Sequence, residues 1–207
     1  FIDGGDNTAL GDTVDYSTFT SSIEVALLGT NDAFVTVAGV SDHKVKSVEN
    51  IIGGSVADII KGDDSVNTIT GNAGNDTLCG GAGNDSLVLD TSDTLVDGGA
   101  DYDKLLVDTS IDFRGLNNSL IQNIEEIDLG NGTAQNITLT LNDVLVMTDS
   151  DNDLFITGDS SDSVALQTED TWTKSTTQSQ AGFDEYTSTQ DATVKLQIQD
   201  DITVSHS

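Results

Sequence analysis

The feature that most constrains this chain is a nine-residue period that runs from Gly53 to Leu106 without a slip. Successive rows read GGSVADIIK, GDDSVNTIT, GNAGNDTLC, GGAGNDSLV, LDTSDTLVD and GGADYDKLL. Glycine begins every row except the fifth, which begins with Leu89. The eighth position is apolar in all six rows and holds Ile60, Ile69, Leu78, Leu87, Val96 and Leu105. Because strand side chains alternate faces, the end of each row predicts a short strand whose middle residue lies in a shared core.

Acidic and amide side chains recur at the sixth position of the rows. This position holds Asp58, Asn67, Asp76, Asp85, Thr94 and Asp103. The glycines permit positive φ, which allows loop carbonyls to turn towards a cation, and carboxylate oxygens are the hard ligands that calcium prefers. Gly-Asn-Asp turns that join ordinary hairpins are the alternative. The constant register of the apolar position favours the calcium loops.

The rows follow the GGxGxDxUx pattern, and the row that begins at Gly80 matches it at every defined position. About a quarter of the chain therefore resembles the RTX calcium-binding repeats. The resemblance implies an all-β fold, a parallel β-roll or β-solenoid with a β-rich C-terminal cap, in which two rows complete one coil. Loops then stack every eighteen residues, so that Asp58 lies beside Asp76 on one edge, and Asn67, Asp85 and Asp103 share the other edge.

In this family, sixth-position side chains and the backbone carbonyls of row positions one and three surround the ions. The resemblance thus implies a calcium ligand set of Gly53, Ser55, Asp58, Asn67, Gly71, Ala73, Asp76, Gly80, Ala82, Asp85, Gly98, Ala100 and Asp103. The fifth row lacks both glycine and a sixth-position Asp, although Asp93 offers a carboxylate one residue out of register. We expect at least three Ca²⁺ ions between Gly53 and Asp103.

The charge of the chain agrees with bound cations. Asp and Glu number 36 against 7 Lys and Arg, which gives a formal charge of −29. Self-repulsion of this size opposes a compact state unless counter-charge is bound. Nucleic acid is disfavoured because phosphate binding needs clustered basic residues. The apolar stretches fall short of the roughly 20 residues of a membrane span, and the single Cys79 excludes an internal disulfide.

We predict three segments, with N-terminal β coils at 1–52, the nonapeptide roll at 53–106 and a β-rich cap or end domain at 107–207. Residues 3–17 read as a partial row followed by a strand. The run SVENIIGGSVADIIKG, residues 47–62, is similar to the lead-in of RTX blocks in large bacterial adhesins.

The region after the rows predicts a calcium-poor continuation. Residues 121–132 echo the lead-in without its calcium loops, Asn142 is expected to cap a short turn, and residues 158–166 form a degraded row. Two final strands are expected at 194–198 and 202–204. The order of these segments resembles the C-terminal regions of RTX adhesins that are exported by type I secretion.

Other candidate sites are weaker. Asp149, Asp151 and Asp153 resemble the start of an EF-hand, but Leu154 replaces the glycine that the loop needs and Ser160 replaces the bidentate glutamate. A turn or an isolated calcium site is expected there.

Isolated His and aromatic residues are expected to be structural. His43 and His206 have no neighbouring Cys or His in sequence, so each is expected at the surface. Trp172, Phe183 and Tyr186 are expected to fill a core rather than to line a ligand pocket. The motifs HExxH and GxSxG are missing from the sequence, so no enzymatic activity is expected.

The resemblance implies a non-enzymatic calcium-binding module of a secreted or cell-surface bacterial RTX adhesin, which folds on binding calcium after type I export. Its partners would be calcium ions, the type I secretion machinery and a surface ligand of host or substrate. Two alternatives remain open. One is an adhesin module that binds peptide, glycan or ice, and the other is an accessory targeting domain of a secreted RTX hydrolase or epimerase.

Overall fold

Short β-strands make up most of the regular structure, which confirms the predicted all-β class. The structure is a computed structural model that describes residues 1–5, 11–177 and 180–206. The chain divides into a first unit, residues 1–104, and a second unit, residues 105–207. The predicted segments 1–52 and 53–106 are not separated by this division, and the three-segment organisation stays a prediction.

The strands of the first unit are short and closely spaced. They are β1 (Ile2–Asp3), β2 (Thr13–Asp15), β3 (Ile23–Ala26), β4 (Ala33–Val37), β5 (Val40–Lys46), β6 (Asn50–Ile52), β7 (Ile59–Lys61), β8 (Thr68–Thr70), β9 (Thr77–Ala82), β10 (Ser86–Val88) and β11 (Leu95–Ala100). Strand β12 (Lys104–Leu106) ends the last row.

Alternate rows contribute strands to two parallel sheets. In one sheet the row strands β7, β9 and β11 pair in parallel, and in the other the row strands β8 and β10 pair in parallel with each other and with β6, which precedes the rows. The register aligns Ile60 with Leu78 and Leu78 with Val96, a spacing of eighteen residues. Two rows therefore complete one coil, as the resemblance implies.

The eighth-position side chains form the core of the roll. All six have a relative exposure of 0%. Each is the second residue of its strand. Its side chain therefore points inward, while the side chains on either side of it point outward. The period thus fixes which residues are buried.

The chain before the rows departs from the predicted succession of coils. Strands β3, β4 and β5 form an antiparallel meander, although β3 also pairs in parallel with β7. The chain reverses at Ala38 and Gly39, whose φ angles of 51° and 77° fit a two-residue hairpin turn. The partial row predicted at 3–17 falls partly on residues 6–10, which lie outside the described residues.

The second unit continues with parallel strands and contains a helix. Its elements are β13 (Ile111–Asp112), β14 (Ile121–Gln122), β15 (Glu126–Asp128), β16 (Asn136–Leu139), α1 (Leu141–Met147), β17 (Asp153–Thr157), β18 (Ser163–Leu166), β19 (Trp172–Lys174), β20 (Phe183–Ser188), β21 (Lys195–Gln199) and β22 (Thr203–His206). Short 3₁₀ helices occur at Phe113–Gly115 and Thr168–Asp170.

Two parallel ladders organise this unit. Strands β15, β17 and β21 pair in parallel, and so do β13, β16, β18 and β22. Strands β20 and β19 extend the first ladder in the antiparallel direction. The register aligns Ile127, Ile156 and Ile198, which are all fully buried. Both predicted final strands are present as β21 and β22.

The N-cap of α1 corrects one sequence prediction. Thr140, not Asn142, caps the helix, because its hydroxyl accepts a hydrogen bond from the N–H of Asp143 at 3.1 Å. The Asp143 carboxylate accepts from the Thr140 N–H at 2.8 Å and completes a capping box. No helix within the described ranges is long and apolar enough to cross a membrane.

The burial of the isolated aromatic and histidine residues agrees with the sequence predictions, with one correction. Trp172 and Tyr186 are buried, as predicted, and Phe183 packs edge-on against Phe155 with ring centroids 5.6 Å apart. His43 is half-buried rather than on the surface, because its Nε2 lies 2.8 Å from the Tyr16 hydroxyl. His206 is exposed, as expected.

Candidate metal-binding loops

The sixth-position side chains point into the stack of loops. Asp58, Asn67, Asp76, Asp85 and Asp103 each have a relative exposure of 1% or less. A buried carboxylate is unfavourable unless hydrogen bonds or counter-charge compensate it. The partners of these side chains therefore decide what the loops can do.

On each edge of the roll, the carboxylates accept hydrogen bonds from backbone N–H groups of the preceding coil. We call this series of hydrogen bonds the carboxylate ladder. An Oδ1 atom accepts a hydrogen bond from the N–H of the sixth residue one coil earlier, and the residues are eighteen apart. Asp58 donates to Asp76 at 2.8 Å on one edge. Asn67 donates to Asp85 at 2.7 Å and Asp85 donates to Asp103 at 2.8 Å on the other. The structure thus brings together the residues that the sequence placed on each edge.

The second carboxylate oxygen separates the loops into two kinds. In the first, second and fifth rows, the N–H of position two donates to the side chain of the same row. We call these closed loops. The bonds run from Gly54 to Asp58 Oδ2 at 2.6 Å, from Asp63 to Asn67 Oδ1 at 2.8 Å and from Asp90 to Asp93 Oδ2 at 3.0 Å.

In the third, fourth and sixth rows, positions two and four both have positive φ, and we call these open loops. The residues with positive φ are Asn72, Gly74, Gly81, Gly83, Gly99 and Asp101, with angles from 65° to 153°. In the third and fourth rows, the position-two N–H does not donate to Oδ2 of the carboxylate of its own row. None of the closed loops has a residue with positive φ at either position.

The open loops of Asp76 and Asp85 leave a carboxylate oxygen without a donor. Oδ2 of each residue is buried and, among the described residues, has no hydrogen-bond partner. Burial raises the pKa of Asp76 to about 6 and that of Asp85 to about 7, although each carboxylate accepts a backbone hydrogen bond. A buried anionic oxygen without a donor is the arrangement that a hard cation would satisfy.

Glycine at the first position is required by close packing at these carboxylates. A Cβ atom on Gly71 would lie 2.3 Å from Oδ2 of Asp76. On Gly80 it would lie 2.3 Å from Oδ2 of Asp85 and 2.4 Å from the carbonyl oxygen of Gly98. A larger residue would therefore displace the carboxylate at either position and, at Gly80, also the backbone of the next coil.

Asp93 takes the place of the missing sixth-position Asp in the fifth row. It is buried, and its Oδ1 accepts from the N–H of Asp76 at 3.4 Å, whereas Thr94 is exposed. Its other oxygen closes its own loop, so Asp93 continues the ladder without offering a vacant oxygen. Burial raises the pKa of Asp93 to about 7.

The predicted carbonyl ligands border the loops. Ala82 and Ala100 pair with each other at the ends of β9 and β11, and Ala73 lies on the exposed side of its loop. The N–H of Ser55 donates to the carbonyl oxygen of Phe19 at 3.1 Å. Gly53 packs against the carbonyl oxygen of Gly71, as Gly80 packs against that of Gly98. Their role as ligands stays a prediction.

Among the described residues, acidic side chains alone do not form a metal cluster. Within the described residues, no group of three His, Cys, Asp or Glu side chains is placed to hold an ion. Backbone carbonyls must therefore supply most of each coordination shell, and calcium tolerates such a mixed shell of oxygen atoms.

The EF-hand-like segment forms a turn. The N–H of Asp151 donates to Oδ1 of Asp149 at 2.8 Å, and Asn152 has a φ of 52°. Asp153 begins strand β17, so the segment leads into a sheet instead of the second helix of an EF-hand.

Parallel coils with glycine-rich loops that bury single carboxylates define a calcium-binding β-roll. The comparisons agree with this class, because residues 52–87 match the RTX calcium-binding nonapeptide repeat in four copies. The match covers roughly a sixth of the chain, and it shows that the chain carries RTX repeats and that these bind Ca²⁺. No curated protein matches the chain. RTX proteins are typically secreted.

Proposed function

We propose that this chain is a non-enzymatic module of a secreted bacterial RTX adhesin, and that it folds when it binds calcium after type I export. The observation that carries the proposal is the pair of buried Oδ2 atoms of Asp76 and Asp85, which have no donor among the described residues. Bound Ca²⁺ would supply both the counter-charge and the missing ligand contacts. The open loops around Asp76, Asp85 and Asp103 are the sites that would hold it.

The charge of the chain makes the ions part of its folding equilibrium. With a formal charge of −29, the compact state brings carboxylates together that repel one another in the absence of cations. The unfolded chain keeps these groups apart and hydrated. Removal of calcium therefore favours the unfolded state for two reasons. The carboxylates of the compact state repel one another, and the buried carboxylate oxygens lose their ligand.

The expected free energies of calcium binding would allow the chain to be unfolded inside the cell and folded outside it. A site with a Kd of about 10⁻⁴ M gains about 1.4 kcal/mol at a calcium concentration of about 10⁻³ M. Several such sites together approach the roughly 5–15 kcal/mol of a typical domain's stability. At calcium concentrations far below Kd this contribution vanishes. The chain would then stay unfolded in the cell and remain able to pass through a secretion channel.

The second unit offers little support for a ligand-binding role. Trp172 and Tyr186 are buried rather than displayed on a surface. A cavity lined by Phe113 and Met147 has a volume of about 20 Å³, which is enough for about one water molecule. We therefore place the function in the loops of the first unit.

A calcium titration of the chelated chain tests this proposal. We expect the far-ultraviolet circular dichroism signal of β-structure to be lost in EGTA and to return on addition of Ca²⁺. Mg²⁺ at the same concentration should not restore it, because Mg²⁺ demands a smaller octahedral shell. A spectrum that is unchanged by EGTA would show that folding does not depend on calcium.

A further inference from the structure

The outer face of strands β3, β4 and β7 exposes apolar side chains beside two charged ones. Leu28, Phe34 and Ile59 are 53%, 58% and 40% exposed. They border a groove of about 350 Å³, whose walls also include Glu24, Ala26 and Lys61. We call this surface the β3/β7 face. Neighbouring exposed apolar side chains with charged groups around them are typical of interaction surfaces.

The strand register arranges the side chains of the β3/β7 face diagonally. Strands β3 and β7 pair in parallel, so that Glu24 lies beside Ile59 and Ala26 lies beside Lys61. Strand β4 pairs with β3 on its other side and brings Phe34 next to Ala26. An apolar line of Phe34, Ala26 and Ile59 therefore has Glu24 on one side and Lys61 on the other.

The two charges beside the apolar line have no partner within the described part of the chain. Glu24 and Lys61 are exposed, and their side chains form no hydrogen bond or ion pair with another described residue. In contrast, the ammonium group of Lys44 on the adjacent strand β5 pairs with Asp32 at 3.0 Å and lies 4.6 Å from the centre of the Phe34 ring. The face thus presents one acidic and one basic group to another molecule.

The β3/β7 face is complementary to itself under two-fold symmetry. In an isologous contact the same patch of two copies meets, so that each residue faces the partner of its own partner. A two-fold axis that lies in the interface along the apolar line brings Glu24 of each copy to Lys61 of the other. The apolar side chains near the axis then pack against their counterparts. The strands of the two copies cross at a large angle, as they do in orthogonal sheet packing.

Charge distinguishes a second copy of the chain from other partners. The chain has 36 Asp and Glu and 7 Lys and Arg, so most of its surface repels another copy and attracts basic molecules. A basic partner has no reason to prefer the β3/β7 face, where the charges of Glu24 and Lys61 balance. Two copies repel each other least when these faces meet.

We propose that the β3/β7 face is an interface between two copies of this chain, in which Glu24 of each copy pairs with Lys61 of the other. The apolar line supplies the buried contact, and the two ion pairs set the orientation of the copies. The inference goes beyond the proposed function, because it assigns a partner to a surface outside the open loops.

Sedimentation equilibrium of the full chain in saturating Ca²⁺ tests the interface by charge reversal. The wild type should approach the mass of a dimer as its concentration rises. Glu24→Lys and Lys61→Glu should each raise the dissociation constant of the dimer at least about tenfold, because each variant sets like charges against one another. The double variant Glu24→Lys/Lys61→Glu should return the constant to the wild-type value, and an equimolar mixture of the two single variants should form mixed dimers.

Glu169→Lys is the matched control for the change in net charge. Glu169 is exposed in the second unit, and its side chain forms no hydrogen bond or ion pair with another described residue. The variant changes the charge of the chain by the same amount as Glu24→Lys. It should leave the dissociation constant of the dimer unchanged, so that the effect of Glu24→Lys is assigned to the interface.

Circular dichroism of the same samples separates this inference from the proposed function. A wild type that is folded by Ca²⁺ but monomeric at every concentration would refute the interface and leave calcium-dependent folding intact. A dimer whose dissociation constant neither single variant changes would also refute it, because another surface would then hold the copies together. A chain that stays unfolded in saturating Ca²⁺ would contradict both proposals.

Discussion

Asp85 and Asp93 show how the same residue type reaches two different states in neighbouring loops. Both carboxylates are buried and both belong to the ladder. Asp93 uses its second oxygen to accept from the N–H of Asp90, whereas Asp85 leaves that oxygen vacant in a loop where Gly81 has a φ of 120°. We therefore expect cation binding to depend on the backbone at position two as much as on the acidic side chain.

The first prediction compares these two carboxylates. Asp85→Ala should raise the calcium midpoint of folding by at least about tenfold, since it removes a ligand from an open loop. Asp93→Ala should raise the midpoint less, because the oxygen of its closed loop is already hydrogen-bonded. Circular dichroism during calcium titration measures both midpoints. Equal midpoints would contradict the distinction between open and closed loops.

The second prediction concerns close packing in the fourth row. Gly80→Ala should destabilise the calcium-loaded chain by about 1–3 kcal/mol, because its Cβ would overlap Asp85 and the Gly98 carbonyl. Gly115→Ala is the control, since nothing lies within 4 Å of its Cβ and its effect should stay within about 0.5 kcal/mol. Urea unfolding in saturating Ca²⁺ measures both changes, and equal stabilities would show that the loop is not tightly packed.

The third prediction follows from the raised pKa values of the loop carboxylates. Burial raises the pKa of Asp76 to about 6 and that of Asp85 to about 7, above the unfolded value of about 3.9. The calcium-free folded state therefore takes up protons more readily than the unfolded state. Its stability is greatest below about pH 4 and is lost as the pH rises through about 6 and 7.

In EGTA, where we expect the chain to be unfolded at pH 8, acidification to pH 5 should thus recover part of the β-structure signal. The double variant Asp76→Asn/Asp85→Asn should recover less, because two of the titrating groups are gone. Circular dichroism during acid titration in EGTA tests this expectation. A calcium-free chain that has no more β-structure at pH 5 than at pH 8 would contradict it.

At the scale of elements, the sequence determined the strands of the rows but not every connection between them. The nine-residue period predicts both the parallel stacking and the buried eighth position, because a slip of one residue would expose the core. The meander β3–β5 was not predicted, since an antiparallel and a parallel strand share the same apolar alternation. Asn142 is a preferred N-cap residue, but Thr140 stands three residues before Asp143 and forms the capping box with it instead.

The open and closed loops could be predicted only in part. Position four carries a usable signal, because the open loops have Gly74, Gly83 and Asp101 there while the closed loops have Val56, Ser65 and Ser92. Valine is β-branched and disfavours positive φ. Position two is ambiguous, since glycine occurs in both kinds of loop. A single residue identity therefore does not fix the direction of its N–H.

The fourth prediction tests the core at neighbouring positions of β7. Ile60→Ala should cost about 2–5 kcal/mol, because Ile60 is fully buried in the register between Val25 and Leu78. Ile59→Ala is the matched control, since Ile59 is 40% exposed and the same atoms are removed. Urea unfolding in saturating Ca²⁺ should show a large loss only for the first variant. Similar losses would indicate a different strand register.

At the scale of the whole molecule, charge and calcium have opposite effects on the compact state. The formal charge of −29 expands the chain, and cations at the loops offset that repulsion where the carboxylates are buried. The apolar core of the rows is thin, because each row contributes one fully buried eighth-position residue. We therefore expect the core of the rows to be insufficient for folding without bound ions.

Small-angle X-ray scattering with and without EGTA tests the central claim most directly, namely that calcium bound at the loops is required for the fold. For a chain of 207 residues, a compact globular state has a radius of gyration of about 17 Å and an unfolded state about 49 Å. We predict a value much nearer the first in saturating Ca²⁺, expansion towards the second in EGTA, and recovery when Ca²⁺ is restored. A chelated chain that keeps the radius of its calcium-loaded form would contradict the claim.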